Sequence, residues 1–253
     1  LFPYTTLFRS QVVLLSFIMI MSALIFVVMG YAIKAIKEPS EAYFDAYNQE
    51  DFNVTMVEQL LVSDVLPVDD AGLTGLVSLS DLYHHAEMAF DVLMDHRITR
   101  FKESFDDTEL EARLHKDVVF EVGGSQHFIR VLRDTTTINQ TFVTEGRKPQ
   151  TESEIALVES YASANGLSPG DTVSFHERDY VITGFVLFPD YTLGLFGSEF
   201  IINNASRTLA LLSDDAFKAL PETLGVTLGG VFTGDPFTAT ELQSSDLPFV
   251  LTT

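Results

Sequence analysis

The chain has 253 residues, with 15 basic against 36 acidic side chains and a formal net charge of −21. Such a field repels phosphate backbones and anionic headgroups, so nucleic acid is not an expected partner. The absence of cysteine excludes disulfides and thiolate metal sites without fixing a compartment, and 46% hydrophobic residues are enough for a folded core.

Residues 1–10, LFPYTTLFRS, look like the in-frame translation of a sequencing-library adapter and are set aside as a non-native scar. Val12 to Ile33 then runs without a charged residue. About 22 residues at ~1.5 Å each cross a ~30 Å hydrocarbon core, so residues 11–34 read as a transmembrane helix. A cleaved signal peptide is the competing reading, but its apolar region spans about 7–15 residues before an A-x-A-like site. Arg9 lies in the scar, and Lys34 and Lys37 alone favour the opposite topology, so charge does not set the orientation.

Residues 35–228 read as the folded domain, and 229–253 as a Gly-, Thr- and Ser-rich, poorly packed, truncated tail. Pro39 is expected to end or redirect the emerging helix. Asp51–Met56 alternates as a first strand, and a spacer follows to about Val77. Ser78 with Asp81 matches a capping box opening one helix of about 25 residues, striped by Leu79, Leu82, Ala86, Phe90, Leu93 and Phe101. His84, His85 and His96 lie on it with Glu87, Asp91 and Asp95, a set that reads as a solvated face rather than a metal site.

From Glu109 the period changes to two. Asp117–Val122 and Gln126–Arg133 flank Gly123-Gly124-Ser125 as a hairpin, and Thr141–Thr144 adds a short strand. Gly146 and Pro149 mark a loop, and Glu154–Leu157 leads into a short helix capped at Asn165-Gly166. Pro169-Gly170-Asp171 turns into a second hairpin, Thr172–Phe175 with Tyr180–Leu187. Gly170 reads as a turn glycine, and Gly184 as a bulge or a close backbone approach. Arg207–Leu212 is a β run feeding a helix from Ser213, whose first turn carries Asp214 and Asp215.

Two blocks carry a resemblance. Tyr43-x3-Tyr47-Asn48-x2-Asp51-Phe52-x-Val54 follows the membrane helix directly. The second block is Glu145-Gly146-Arg147, Pro149, Glu154-Ile155-Ala156-Leu157, Leu167, Gly170-Asp171, Ile182-x-Gly184-Phe185 and Pro189-Asp190-Tyr191. In order and placement they resemble the extracytoplasmic core of FtsX/MacB-like ABC transporter permeases of Gram-positive type. The resemblance implies an α+β fold: one N-terminal transmembrane helix, then a two-lobed mixed α/β extracytoplasmic domain. It also implies a bacterial plasma-membrane location and coupling of ATP-driven helix motion to export or extraction of a substrate. The expected partners are a cytoplasmic ABC ATPase, the lipid bilayer and a second permease copy. The chain stops at Thr253 without further membrane helices, so it reads as an N-terminal fragment.

Catalytic chemistry finds no support in the sequence. There is no GxxxxGK[ST]. The acidic pairs Asp69-Asp70, Asp106-Asp107 and Asp214-Asp215 lack the oxygen-rich loop of an EF-hand and read as solvated or capping groups. The expectation is therefore a non-enzymatic subunit with no catalytic, cofactor-binding or metal-ligating residue and no cofactor. The rival readings are a single-span anchored sensor or binding module, and an anchored hydrolase. Residues from about Glu41 to Glu222 are expected to fold without the membrane helix.

Overall fold

The computed structural model describes residues 4–61, 64, 76–191, 203–245 and 247–251. Most of the spacer, including Asp69-Asp70, lies outside them. The chain divides into two compact units, Leu1–Ala46 and Tyr47–Thr253.

The first unit is a single helix, α1 (Tyr4–Ala46), of 43 residues. Every large apolar side chain from Val12 to Ile36 is exposed, Ile20 by 63%, as a lipid-facing helix requires and a soluble core helix does not. The expected stop at Pro39 does not occur: the helix runs through it to Ala46. Proline removes one N–H, and the turns around it keep their own ties. Ser40 Oγ donates to the Ile36 carbonyl (2.9 Å), while Lys34 pairs with Glu38 (3.5 Å) and Lys37 with Glu41 (3.3 Å).

The second unit is a mixed α/β domain, as expected. Its strands are β1 (Phe52–Met56), β2 (Thr108–Val122), β3 (Ser125–Leu132), β4 (Phe142–Gly146), β5 (Glu154–Leu157), β6 (Thr172–Phe175), β7 (Arg178–Leu187), β8 (Arg207–Leu212), β9 (Leu224–Phe232) and β10 (Phe249–Leu251). They form a 10-stranded sheet in the order β10-β1-β9-β2-β3-β8-β5-β7-β4, with β6 paired to β7. The β3–β8 and β5–β7 pairs are parallel and the others antiparallel. Both expected hairpins form. Gly123-Gly124 makes the first turn (φ 57 and 82), and His176-Glu177 makes the second in the same left-handed region (φ 51 and 58).

The helices are α2 (Leu79–His85), α3 (Glu87–Ser104), α4 (Glu159–Ala164), α5 (Asp214–Ala219) and α6 (Ala239–Ser244). Ser78 and Asp81 form the capping box. The helix they open is not continuous, because Ala86 (φ −147, ψ 61) leaves the helical region and separates α2 from α3. Leu79, Leu82, Phe90, Leu93 and Phe101 still enter one core, joined by Phe217 of α5 and Leu242 of α6. Along β5 and β8, Ile155, Leu157, Ala210 and Leu212 face that core. The alternating Ala156, Leu209 and Leu211 face a smaller cluster with Val186 and Phe188. Two-sided burial makes these strands continuous apolar runs, which explains why Glu154–Leu157 reads as a mere approach to a helix.

The expected poorly packed tail is the main correction. Residues 224–232 form β9, hydrogen-bonded between β1 and β2. Farther on, Leu242 and Phe249 are buried and β10 pairs with β1. The glycines that suggested looseness are there for close approach. A Cβ at Gly230 would overlap the Phe52 ring, and one at Gly229 would crowd Glu50 Oε2 (2.5 Å).

Candidate functional site: the lead-in clamp

Five residues, Tyr47–Asp51, lead from the end of α1 into β1, and the domain holds each of them. Asn48 turns the chain at φ 50, a conformation asparagine tolerates. The Tyr47 and Asn48 carbonyls accept from the amides of Gln140 (3.0 Å) and Asn139 (2.9 Å). Asn48 Nδ2 donates to the Thr137 carbonyl and Gln49 Nε2 to the Pro189 carbonyl, both at 2.8 Å. The Glu50 amide donates to Asn139 Oδ1 (2.9 Å), and Asn139 Nδ2 returns a bond to Glu50 Oε2 (2.7 Å). The Asp51 amide donates to the Gly230 carbonyl (2.8 Å), and Asp51 Oδ2 accepts from the Phe232 amide (2.9 Å).

The loop that grips this segment, residues 134–141 between β3 and β4, is itself tied down. Glu111 on β2 aims its carboxylate into the loop. Oε1 accepts from the Thr136 amide and hydroxyl, and Oε2 from the amides of Thr137 and Ile138 and the Thr137 hydroxyl, at 2.7 to 2.9 Å. Burial alone would raise this carboxyl, but the amides of Ile138, Thr136 and Thr137 outweigh it and hold it below the ordinary value. Asp134 accepts from Thr141 Oγ1 and Lys148 Nζ, each at 2.7 Å. Asn139 is only 2% exposed, so its N-x-T triplet is a structural element of the folded domain and not an accessible glycan acceptor.

Beneath the clamp lies a buried ion pair. Arg113 Nε and Nη2 meet Asp190 Oδ2 and Oδ1 at 2.9 and 2.7 Å, and Nη2 also donates to the Asn139 carbonyl (3.1 Å). Its guanidinium carbon lies 5.5 Å from the Phe188 ring centroid. Burial works against the Arg113 charge, but Asp190 more than offsets this and raises its pKa. Glu50 has no such cation in contact. Burial pushes its carboxyl up to about 7, helped by the Asp190 charge and opposed by the amides of Asn53 and Asn139.

The quoted sequence blocks meet here. Tyr47, Asn48 and Asp51 belong to the first, while Pro189 and Asp190 belong to the second and are bound by Gln49 and Arg113. Elsewhere the second block is architectural too. Gly146 faces Gly184 across β4 and β7, and a Cβ on either would strike the other strand's backbone. Arg147 forks onto Glu154 (2.8 and 2.5 Å), whose carboxyl falls to about 2 through that pairing and the Gln150 amide.

Other buried charges sit outside the clamp. Arg97 on α3 forks onto Asp64 (3.0 and 2.6 Å) and donates to the Val57 and Gln59 carbonyls. Lys116 on β2 donates to the Phe217 and Leu220 carbonyls at the end of α5 (3.1 and 2.6 Å), and burial lowers it to about 8. Burial lowers His115 to about 4. Sequence reading missed Arg97, Arg113, Lys116 and Glu50, because no local pattern marks a charge whose partner lies far along the chain. Among the described residues, no group of three or more His, Cys, Asp or Glu is placed to hold a metal ion. His84 meets the Glu222 carbonyl (3.3 Å), and Asp214 lies in the first turn of α5 and pairs with Arg133 (3.1 Å).

No protein-family model matches the sequence, and no curated protein does. Among solved structures, the chain is similar to the extracellular domain of the noncanonic ABC-type transporter YknZ from Gram-positive bacteria. That likeness has 9% identity and a TM-score of 0.36, over 79% of this chain and 100% of the other.

Proposed function

We propose that the chain is the N-terminal part of an ABC transporter permease. In this reading α1 spans the plasma membrane and the domain that follows acts outside the cytoplasm as a force-coupling element, not as an enzyme. The observation that carries the reading is the convergence of the permease-like sequence blocks on the lead-in clamp. A domain that must follow a moving membrane helix needs a stiff attachment at the point where the helix delivers the chain. Tyr47–Asp51 is bonded at every residue to the β3–β4 loop, to β9 or to the turn at Pro189. The helical path through Pro39 supports the same reading, since residues 34–46 extend ~20 Å beyond the charge-free run at ~1.5 Å per residue.

Energy then comes from a partner, a cytoplasmic ABC ATPase, because the sequence holds no phosphate-binding loop. A flexible Gly/Ser insertion after Pro39, made in the gene at its natural locus, should abolish transport while leaving folding and ATPase association intact. Transport that survives the insertion would reduce α1 to an anchor and favour an anchored binding module instead.

A further inference from the structure

The Glu50 carboxyl sits in the clamp beside a second carboxylate, Asp190, and has no cation of its own in contact. Both its oxygens face neutral amide donors, Asn53 Nδ2 at 3.0 Å and Asn139 Nδ2 at 2.7 Å. The nearby guanidinium of Arg113 is already forked onto Asp190. Two carboxylates therefore share one cation, and the second is half-buried with no bonded positive partner. From β1 the group is faced by Asn53, from the β3–β4 loop by Asn139, from β2 by Arg113 and from the 3₁₀ turn Pro189–Tyr191 by Asp190. From β9 it is faced by Gly229, which contributes no side chain. A neutral carboxyl suits this surrounding, because Asn53 Oδ1 is buried without a hydrogen-bond partner, and rotation of that amide turns it into an acceptor for the Glu50 proton.

We infer that Glu50 is a proton-operated latch on the lead-in segment: neutral, it holds Tyr47–Asp51 to the β3–β4 loop, and ionised, it loosens that hold. A carboxyl raised from 4.5 to about 7 in the folded state stabilises the fold most at acidic pH. That contribution is lost as the pH rises from the first value to the second. The latch does not rest on the transporter reading. Its consequence does: there, the stiffness of the helix-to-domain attachment would fall with rising external pH.

The experiment uses the full chain in detergent micelles. Carbon-13 NMR of the labelled Glu50 carboxyl, assigned by its loss in Glu50→Gln, should titrate near neutrality. Hydrogen-exchange protection at the amides of Glu50, Asn139 and Gln140, corrected for intrinsic rates, should fall on the order of tenfold or more between about pH 5.5 and about pH 8. In Glu50→Gln it should stay high across that range. A Glu50 midpoint at the ordinary 4.5 overturns the latch, as does wild-type protection that follows the same pH course as the variant. If Glu50→Gln loses protection across the β2–β9 ladder and so fails to fold, the wild-type titration and exchange decide alone.

Discussion

Arg113 and Asp190 stand 77 residues apart in sequence and form a two-pronged ion pair with side chains only 2% and 4% exposed. The pair pins the turn after β7 against β2, and the Asn139 carbonyl closes the same guanidinium into the clamp. Removing one partner strands the other charge in a site that water does not reach. Arg113→Ala should therefore cost ~3–5 kcal/mol, whereas Arg113→Met with Asp190→Leu should cost much less. Denaturant titration of the full chain in detergent, followed by tyrosine fluorescence because there is no tryptophan, measures both. Equal losses in the two variants would contradict this account.

Glu111 should act as a pH-dependent fastener of the β3–β4 loop, opposite in sign to Glu50. Its folded pKa lies below 4.5, so the stability it adds is full above that value and lost as the pH falls through the folded pKa. Hydrogen exchange at Thr136, Thr137 and Ile138 should accelerate on acidification relative to intrinsic rates. Glu111→Gln should give the acid behaviour at neutral pH.

Gly184 and Gly170 separate two uses of glycine. At Gly184 a Cβ would meet the backbone of Glu145 and Arg147, so Gly184→Ala forces β4 and β7 apart. At Gly170 the surroundings are open and only φ 99 resists a side chain, so Gly170→Ala carries backbone strain alone, ~1–3 kcal/mol. The first substitution should lower the melting temperature more than the second. It should also remove exchange protection in β4 selectively.

Domain boundaries follow from β9. A fragment ending at Glu222, as the sequence suggests, lacks the strand hydrogen-bonded to both β1 and β2 and should not fold. Residues 47–253 keep the whole unit and should give a cooperative, mixed α/β circular-dichroism spectrum. A well-folded 41–222 fragment would remove β9 from the structural centre.

For α1, Ile20→Arg should cost about 2.5–3.5 kcal/mol of insertion free energy on translocon scales. The unmodified chain should resist carbonate extraction from membranes. Its efficient release would count against a spanning helix.

What the sequence determined by itself is what neighbours within a turn or a hairpin decide. The charge-free run makes α1, Ser78 with Asp81 caps α2, and Gly123-Gly124 and His176-Glu177 close hairpins between alternating strands. These rules act over a few residues, so they are visible in one dimension. Only the tertiary structure decided that β9 lies between β1 and β2, that Gly229 and Gly230 admit Glu50 and Phe52, and that Glu50 meets Asn139 across 89 residues. The cost of a buried charge depends on which distant group shares its cavity, and sheet order sets that sharing. Glycine in β9 reads as looseness until the side chains that fill its space are brought over it.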